Sequence, residues 1–197
     1  ASVGADKTIR LWEVESGRQI LSLISQGGWV HGVIFAPDGR SFASLAADQT
    51  IRLWDAATGK ELGRLAGHPR YIFGLAFTPD GRLLASASLD KTVKLWDLST
   101  GKEVRTVNGY SDAVRAIAIS PDGRWMASAS GDDPIRVSEV ASSRELYTLK
   151  GHTGTVLTVA FSADGHRLFS ASDDNSFNVW DVTTGKEIFS SHPEGGR

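Results

Sequence analysis

Five aspartates recur at one step of 42 residues: Asp6, Asp48, Asp90, Asp132 and Asp174. Trp12, Trp54 and Trp96 keep the same step, and Trp180 stands two steps beyond Trp96. The step between them lands on Ser138, so one copy has lost its Trp. A period of 20–50 residues restricts a chain to solenoids, propellers and arrays. In these, each copy is one supersecondary unit that buries its faces against its neighbours.

Residues 67–108 serve as the type unit. Gly67-His68 opens it. The apolar run 72–77 has the size of a buried strand. Thr78-Pro79-Asp80-Gly81 follows, with Pro presetting φ and Gly accepting a positive φ, and predicts a hairpin turn. A second strand is predicted over 83–88, a third over 92–96 and a fourth, more polar, over 103–107, with turns at 89–91 and 99–102. We name these strands a, b, c and d. Small residues in b (Ala85, Ser86, Ala87, Ser88) suit a close approach of sheets near an axis. Bulkier Val93, Leu95 and Trp96 in c suit the wider gap outside. Glu103 and Arg105 mark d as a solvated outer edge. The other copies repeat the turns: Pro37-Asp38-Gly39, Pro121-Asp122-Gly123 and Ala163-Asp164-Gly165 between a and b, with Ser142-Ser143 replacing the usual Thr-Gly between c and d of the fourth copy.

A four-stranded meander without a helix can cover both faces only by stacking on its own kind. The expected division is a partial unit 1–24 with strands b, c and d, units 25–66, 67–108, a degenerate 109–150, and 151–192, then a tail 193–197. A stack of such units leaves an apolar face open at each end, so the expectation is a segment of a larger assembly, completed by further units of the same chain or by another copy.

Bulk composition removes several function classes. Lys+Arg 21 against Asp+Glu 23 gives a net charge of −2, which disfavours general nucleic-acid binding. No cysteine is present, so disulfides, Cys-ligated zinc and thiol catalysis are excluded, and a reducing, cytoplasmic location fits. No apolar run reaches the length of a membrane helix.

The Gly-His opening, the Asp between b and c, and Trp-Asp at the end of c (Trp54-Asp55, Trp96-Asp97, Trp180-Asp181) fall in register over essentially the whole chain. In these residues the sequence resembles the WD-repeat β-propeller family. The resemblance implies an all-β fold of four complete four-stranded blades and one three-stranded partial blade. It also implies a buried relay within each blade: His68, Ser86, Asp90 and Trp96 in one, His152, Ser170, Asp174 and Trp180 in another. Two copies depart from the pattern. Gln26 replaces His in the second, where it is expected to donate in its place. In the fourth, Tyr110 replaces His and Ser138 replaces Trp, leaving Asp132 between them, so 109–150 is expected to be the least stable blade.

The same resemblance implies a top-face rim for binding. It is lined by residues before and at the start of strand a, and by the residue before the b–c Asp. The candidates for a protein or peptide partner are Trp29, His31, Tyr71, Phe73, Arg115, Leu157 and Asp173. Against this stands the reading that these side chains only plug the channel. Ser86, His68 and Asp90 could be drawn as a catalytic set, but the resemblance buries them, and catalysis needs an accessible cleft. The five histidines show no metal-ligand spacing. Gly59-Lys60, Gly101-Lys102 and Gly185-Lys186 are each followed by Glu, which breaks the phosphate-loop pattern. No catalytic residue, metal or cofactor is therefore expected. The expected function is a non-catalytic interaction scaffold, the sensor or adaptor part of a larger regulatory protein. The alternatives are a small-molecule or glycan binder, a purely structural ring and an enzyme using the central opening.

Overall fold

The computed structural model describes residues 1–131 and 134–191. Asp132 and the tail 193–197 lie outside the described residues. The described chain is all strand, with no helix long and apolar enough to cross a membrane. The first sheet holds β1 (Ser2–Val3), β2 (Thr8–Trp12) and β3 (Gln19–Ile24). Sheet two holds β4 (Val30–Phe35), β5 (Ser41–Ala46), β6 (Ile51–Asp55) and β7 (Glu61–Leu65). Sheet three holds β8 (Ile72–Phe77), β9 (Leu83–Ser88), β10 (Val93–Asp97) and β11 (Lys102–Val107). Sheet four holds β12 (Val114–Ile119), β13 (Trp125–Ser130), β14 (Ile135–Glu139) and β15 (Glu145–Leu149). Sheet five holds β16 (Val156–Phe161), β17 (Arg167–Ser172), β18 (Phe177–Asp181) and β19 (Glu187–Ser191). All pairings are antiparallel meanders. These are four complete propeller blades and one three-stranded blade, as the repeat predicts.

The turns show why the pattern folds this way. The Gly81 amide donates to the Thr78 carbonyl at 2.8 Å, and Gly81 has φ +67°, a conformation that side chains with a Cβ rarely adopt. The Asp80 carboxylate locks the turn by accepting the Thr78 hydroxyl and the Arg82 amide. In sheet four, Ser143 takes the left-handed position (φ +57°) that Gly59, Gly101 and Gly185 fill elsewhere.

Each apolar core joins two sheets. Leu45, Ile51 and Leu65 of sheet two meet Leu84 and Trp96 of sheet three. Val93 and Leu95 of sheet three meet Met126 and Tyr110 of the next, and Ile135 and Val137 meet Leu168 and Trp180. Small Ala43, Ala85 and Ala127 share these clusters with Leu84, Met126 and Leu168 of the following sheet. A blade therefore buries its apolar face only against its neighbour. The inner strands stand side by side, β12 between β8 and β16.

Strand d is less solvated than its charges predict. The Arg105 guanidinium donates to the Val140 carbonyl of the next sheet at 3.1 Å, and Tyr147 reaches the Val182 carbonyl in the same way. Arg105 is thus an inter-blade clamp, because its long apolar stem spans the gap while its head finds a carbonyl.

Candidate functional site

The relay of sheet three runs Asp90–His68–Ser86–Trp96. His68 Nδ1 lies 2.7 Å from Asp90 Oδ2, and Nε2 lies 2.7 Å from Ser86 Oγ. The Trp96 indole N–H donates to Ser86 Oγ at 2.8 Å. Burial pushes the His68 pKa down, against the pull of the Asp90 hydrogen bond. A neutral ring then donates from Nδ1 to Asp90 and accepts the Ser86 hydroxyl at Nε2, which satisfies every polar atom. The His68 and Asp90 side chains are closed off from solvent, so no substrate reaches them.

Sheet five differs in one link. His152 Nε2 meets Ser170 Oγ at 2.7 Å, and Trp180 donates to the same oxygen at 2.8 Å. Nδ1 meets Ser176 Oγ at 2.7 Å, while Asp174 stands 3.4 Å away. The expected direct hydrogen bond from His152 to Asp174 is thus replaced by one to Ser176. Asp174 instead accepts the amides of Thr153 and Ser176. Burial opposes its ionisation, but these hydrogen bonds hold its carboxyl far below the usual range.

The departing copies are refilled by arginine. Gln26 is exposed and does not take the place of His. The Arg52 guanidinium does so, 2% exposed, at 2.8 Å from Asp48 and 3.1 Å from Glu61. In sheet four, the Tyr110 hydroxyl meets Ser128 at 2.7 Å. The Arg136 guanidinium covers the Tyr110 ring at 4.2 Å, donates to the Asn108 and Gly109 carbonyls, and pairs with Glu145 at 2.9 Å. Ser138 Oγ is buried without a partner among the described residues. The second residue of strand c is Arg in both sheets that lack His, and Lys94 or Asn178 in the two that have it. This correlation is written in the repeats, and reading down that column would have found it.

The rim candidates fall at one end of the sheets. The amides of Ala47, Leu89 and Asp173 donate to the carbonyls of Trp29, Tyr71 and Thr155, which clips the two predicted rim columns together. In every a–b ladder one residue of strand a has no partner. Val30 faces Ala46 and Gly32 faces Leu45; the same skip falls at Ile72/Gly74, Val114/Ala116 and Val156/Thr158. The bulged residues are therefore His31, Phe73, Arg115 and Leu157. A bulge turns one side chain out of the pleat, and these residues are different in every copy.

Five candidates form one continuous run across three sheets. Trp29 and His31 lie 5.2 Å apart, His31 stacks on Tyr71 at 4.2 Å, and Tyr71 meets Phe73 edge-on at 5.0 Å. The Arg115 guanidinium lies over Phe73 at 4.9 Å. His31 Nε2–H donates to the Ile72 carbonyl at 2.9 Å, and burial lowers its pKa, so the ring is neutral. Trp29 remains 45% exposed at the end of the run. Leu157 and Asp173 take no part in these ring contacts. Among the described residues, no group of three or more His, Cys, Asp or Glu is placed to hold a metal ion.

Two depressions between blades open at the other end of the strands and were not anticipated. One, of about 430 Å³, lies between sheets two and three; another, of about 460 Å³, lies between sheets four and five and includes Trp125, Tyr147 and His166.

The family model described as "WD domain, G-beta repeat" matches residues 17–55, 59–97, 101–134 and 143–181, more than half of the chain. Each match starts at or just before strand d of one sheet, and three of the four end with strand c of the next, so the sequence repeat straddles the blade boundary. A stretch of 45 residues is 40% identical to "Nuclear distribution protein PAC1" of Mycosarcoma maydis. That match covers 23% of this chain and 10% of the relative's length. With four successive repeat matches over more than half of its length, the chain belongs to the WD40-repeat family.

Proposed function

We propose that this chain is a non-catalytic scaffold that holds a protein or peptide partner on the rim formed by Trp29, His31, Tyr71, Phe73 and Arg115. One observation supports this above the others: a strand-a bulge lifts His31, Phe73 and Arg115 from three successive blades to the same end, and with Trp29 and Tyr71 they form a continuous aromatic run capped by a guanidinium. Aromatic residues and arginine are the side chains that most often carry binding energy at interfaces. WD40 domains generally mediate protein–protein contacts and are generally non-catalytic. The chain then acts as the adaptor part of a larger cytoplasmic regulatory protein.

The test is selection of a displayed random peptide library on the immobilised chain, followed by affinity measurement against Trp29→Ala, Phe73→Ala and Arg115→Ala variants. Loss of about tenfold or more in at least two of them, with melting unchanged, is expected of hot-spot residues. Peptides indifferent to all three substitutions would remove the rim as the binding surface.

A further inference from the structure

At the ends of the sheets opposite the rim, every outer strand carries its own bulge. Leu53 faces Gly63 and Trp54 faces Glu61, which leaves Leu62 unpaired. The equivalent residues are Ile20, Val104, Leu146 and Ile188. All five are aliphatic, and four of them, Leu62 included, are more than half exposed. The next position in the same strands varies freely: Leu21, Gly63, Arg105, Tyr147, Phe189. The core does not use these side chains, yet every copy has an aliphatic residue at the same place on an edge strand, and four of the five put it in water, where charge is the usual choice.

Leu62 does face something. With Ala36 and Leu53 of its own sheet and Phe77 and Leu98 of the next, it lines the groove of about 430 Å³ between sheets two and three. Two carboxylates, Asp38 and Asp80, also line it, and no Lys or Arg does. Each carboxylate spends Oδ1 on its own turn, accepting the amide of Arg40 at 2.9 Å or of Arg82 at 3.0 Å. Among the described residues, neither Oδ2 has a hydrogen-bond or ion-pair partner. The Thr78 and Arg82 hydrogen bonds hold Asp80 below the ordinary carboxylate range, so it is anionic at neutral pH.

We propose that this groove is a second docking surface, which takes a peptide segment carrying an aliphatic or aromatic anchor beside a Lys or Arg. The anchor packs against Leu62, Leu53 and Phe77, and the cation pairs with the free oxygens of Asp38 and Asp80. An apolar floor gives affinity, and charges at the edge select the partner's sign.

The probe is a set of fluorescein-labelled hexapeptides with one central Leu, Ile or Phe flanked by Lys or Arg, and a matched set flanked by Glu, titrated onto the 197-residue chain by fluorescence polarisation. Binding by the basic set and not by the acidic set is expected. Leu62→Ser is expected to weaken it about tenfold, and so is the Asp38→Asn/Asp80→Asn pair, which keeps the oxygens that close the turns. Leu62 is exposed, so the first variant folds as the parent does, and thermal melting checks both. Equal binding of acidic peptides, no binding by either set, or binding that survives Leu62→Ser overturns the proposal. So does binding that is lost instead on Trp29→Ala, which would assign the peptide to the rim.

Discussion

Replacing Ser86 by Ala removes the node of the sheet-three relay. Ser86 is fully buried; its oxygen accepts the Trp96 N–H at 2.8 Å, and its hydroxyl serves His68 Nε2 at 2.7 Å. Removing it orphans one donor and one acceptor in a dry interior, at roughly 1–3 kcal/mol each, so the expected loss is about 2–6 kcal/mol. Ser2 offers the control inside the same molecule. It accepts the Trp12 N–H at the same 2.8 Å, but Trp12 is 39% exposed, so water replaces the hydroxyl and the loss stays under about 1 kcal/mol. Repeat proteins need not unfold as one unit, so the readout is local. Native-state hydrogen exchange of the amides in β10 reports sheet three, and that of β2 reports the first sheet. Protection factors in β10 should drop by more than about tenfold in Ser86→Ala, whereas Ser2→Ala leaves β2 nearly unchanged. Equal effects of the two substitutions would refute the reasoning that burial of the hydrogen-bonded node gives the relay its worth.

Three further outcomes follow from the same geometry. Ser138→Ala deletes a buried hydroxyl without a partner and should be neutral or stabilising by about 1 kcal/mol in urea unfolding, against the usual direction for a core substitution. Arg52→Met leaves Asp48 without its cation and Glu61 with only the exposed Arg64, and should cost about 3 kcal/mol, whereas Gln26→His with Arg52→Lys, the pairing of sheet three, should recover much of it. Stability should fall on acidification in two stages, measured by melting temperature from pH 8 to 3. The neutral form of His68 is favoured in the fold, so its contribution is complete above its ordinary 6.5 and is lost as pH falls through the depressed folded value. Asp90 follows below 3.8, since hydrogen bonds from Thr92 and His68 outweigh burial and hold its carboxyl down. His68→Asn should shrink the first stage to the part that His31, whose pKa burial also lowers, supplies.

The fold was legible because a constant 42-residue step dictates one blade per copy, and the turn residues mark each hairpin. The predicted strands 92–96 and 103–107 of the type unit are Val93–Asp97 and Lys102–Val107 in the structure, shifts of one residue at turns that share hydrogen bonds with both neighbours. Within the site, the ends of the strands could be read from the Asp column and the Gly-His opening. What replaces a missing His could not be read from residue type alone. Gln26 carries an amide that could donate, but it stands in water while Arg52 reaches Asp48 from the adjacent strand. Bulges were invisible for another reason. A bulge changes which residues face each other across strands and leaves the hydrophobic pattern of each strand intact. Hence His31, Phe73 and Arg115 could be named as rim residues while the device that presents them was missed, and Leu62 was passed over altogether.

The most direct test of the scaffold reading is the hydrogen-exchange footprint of the chain bound to a peptide selected against it. The account predicts slowed exchange at residues 29–32, 71–74 and 113–116 together, the starts of three successive inner strands. Protection confined to the outer strands, or to a single blade, would contradict it.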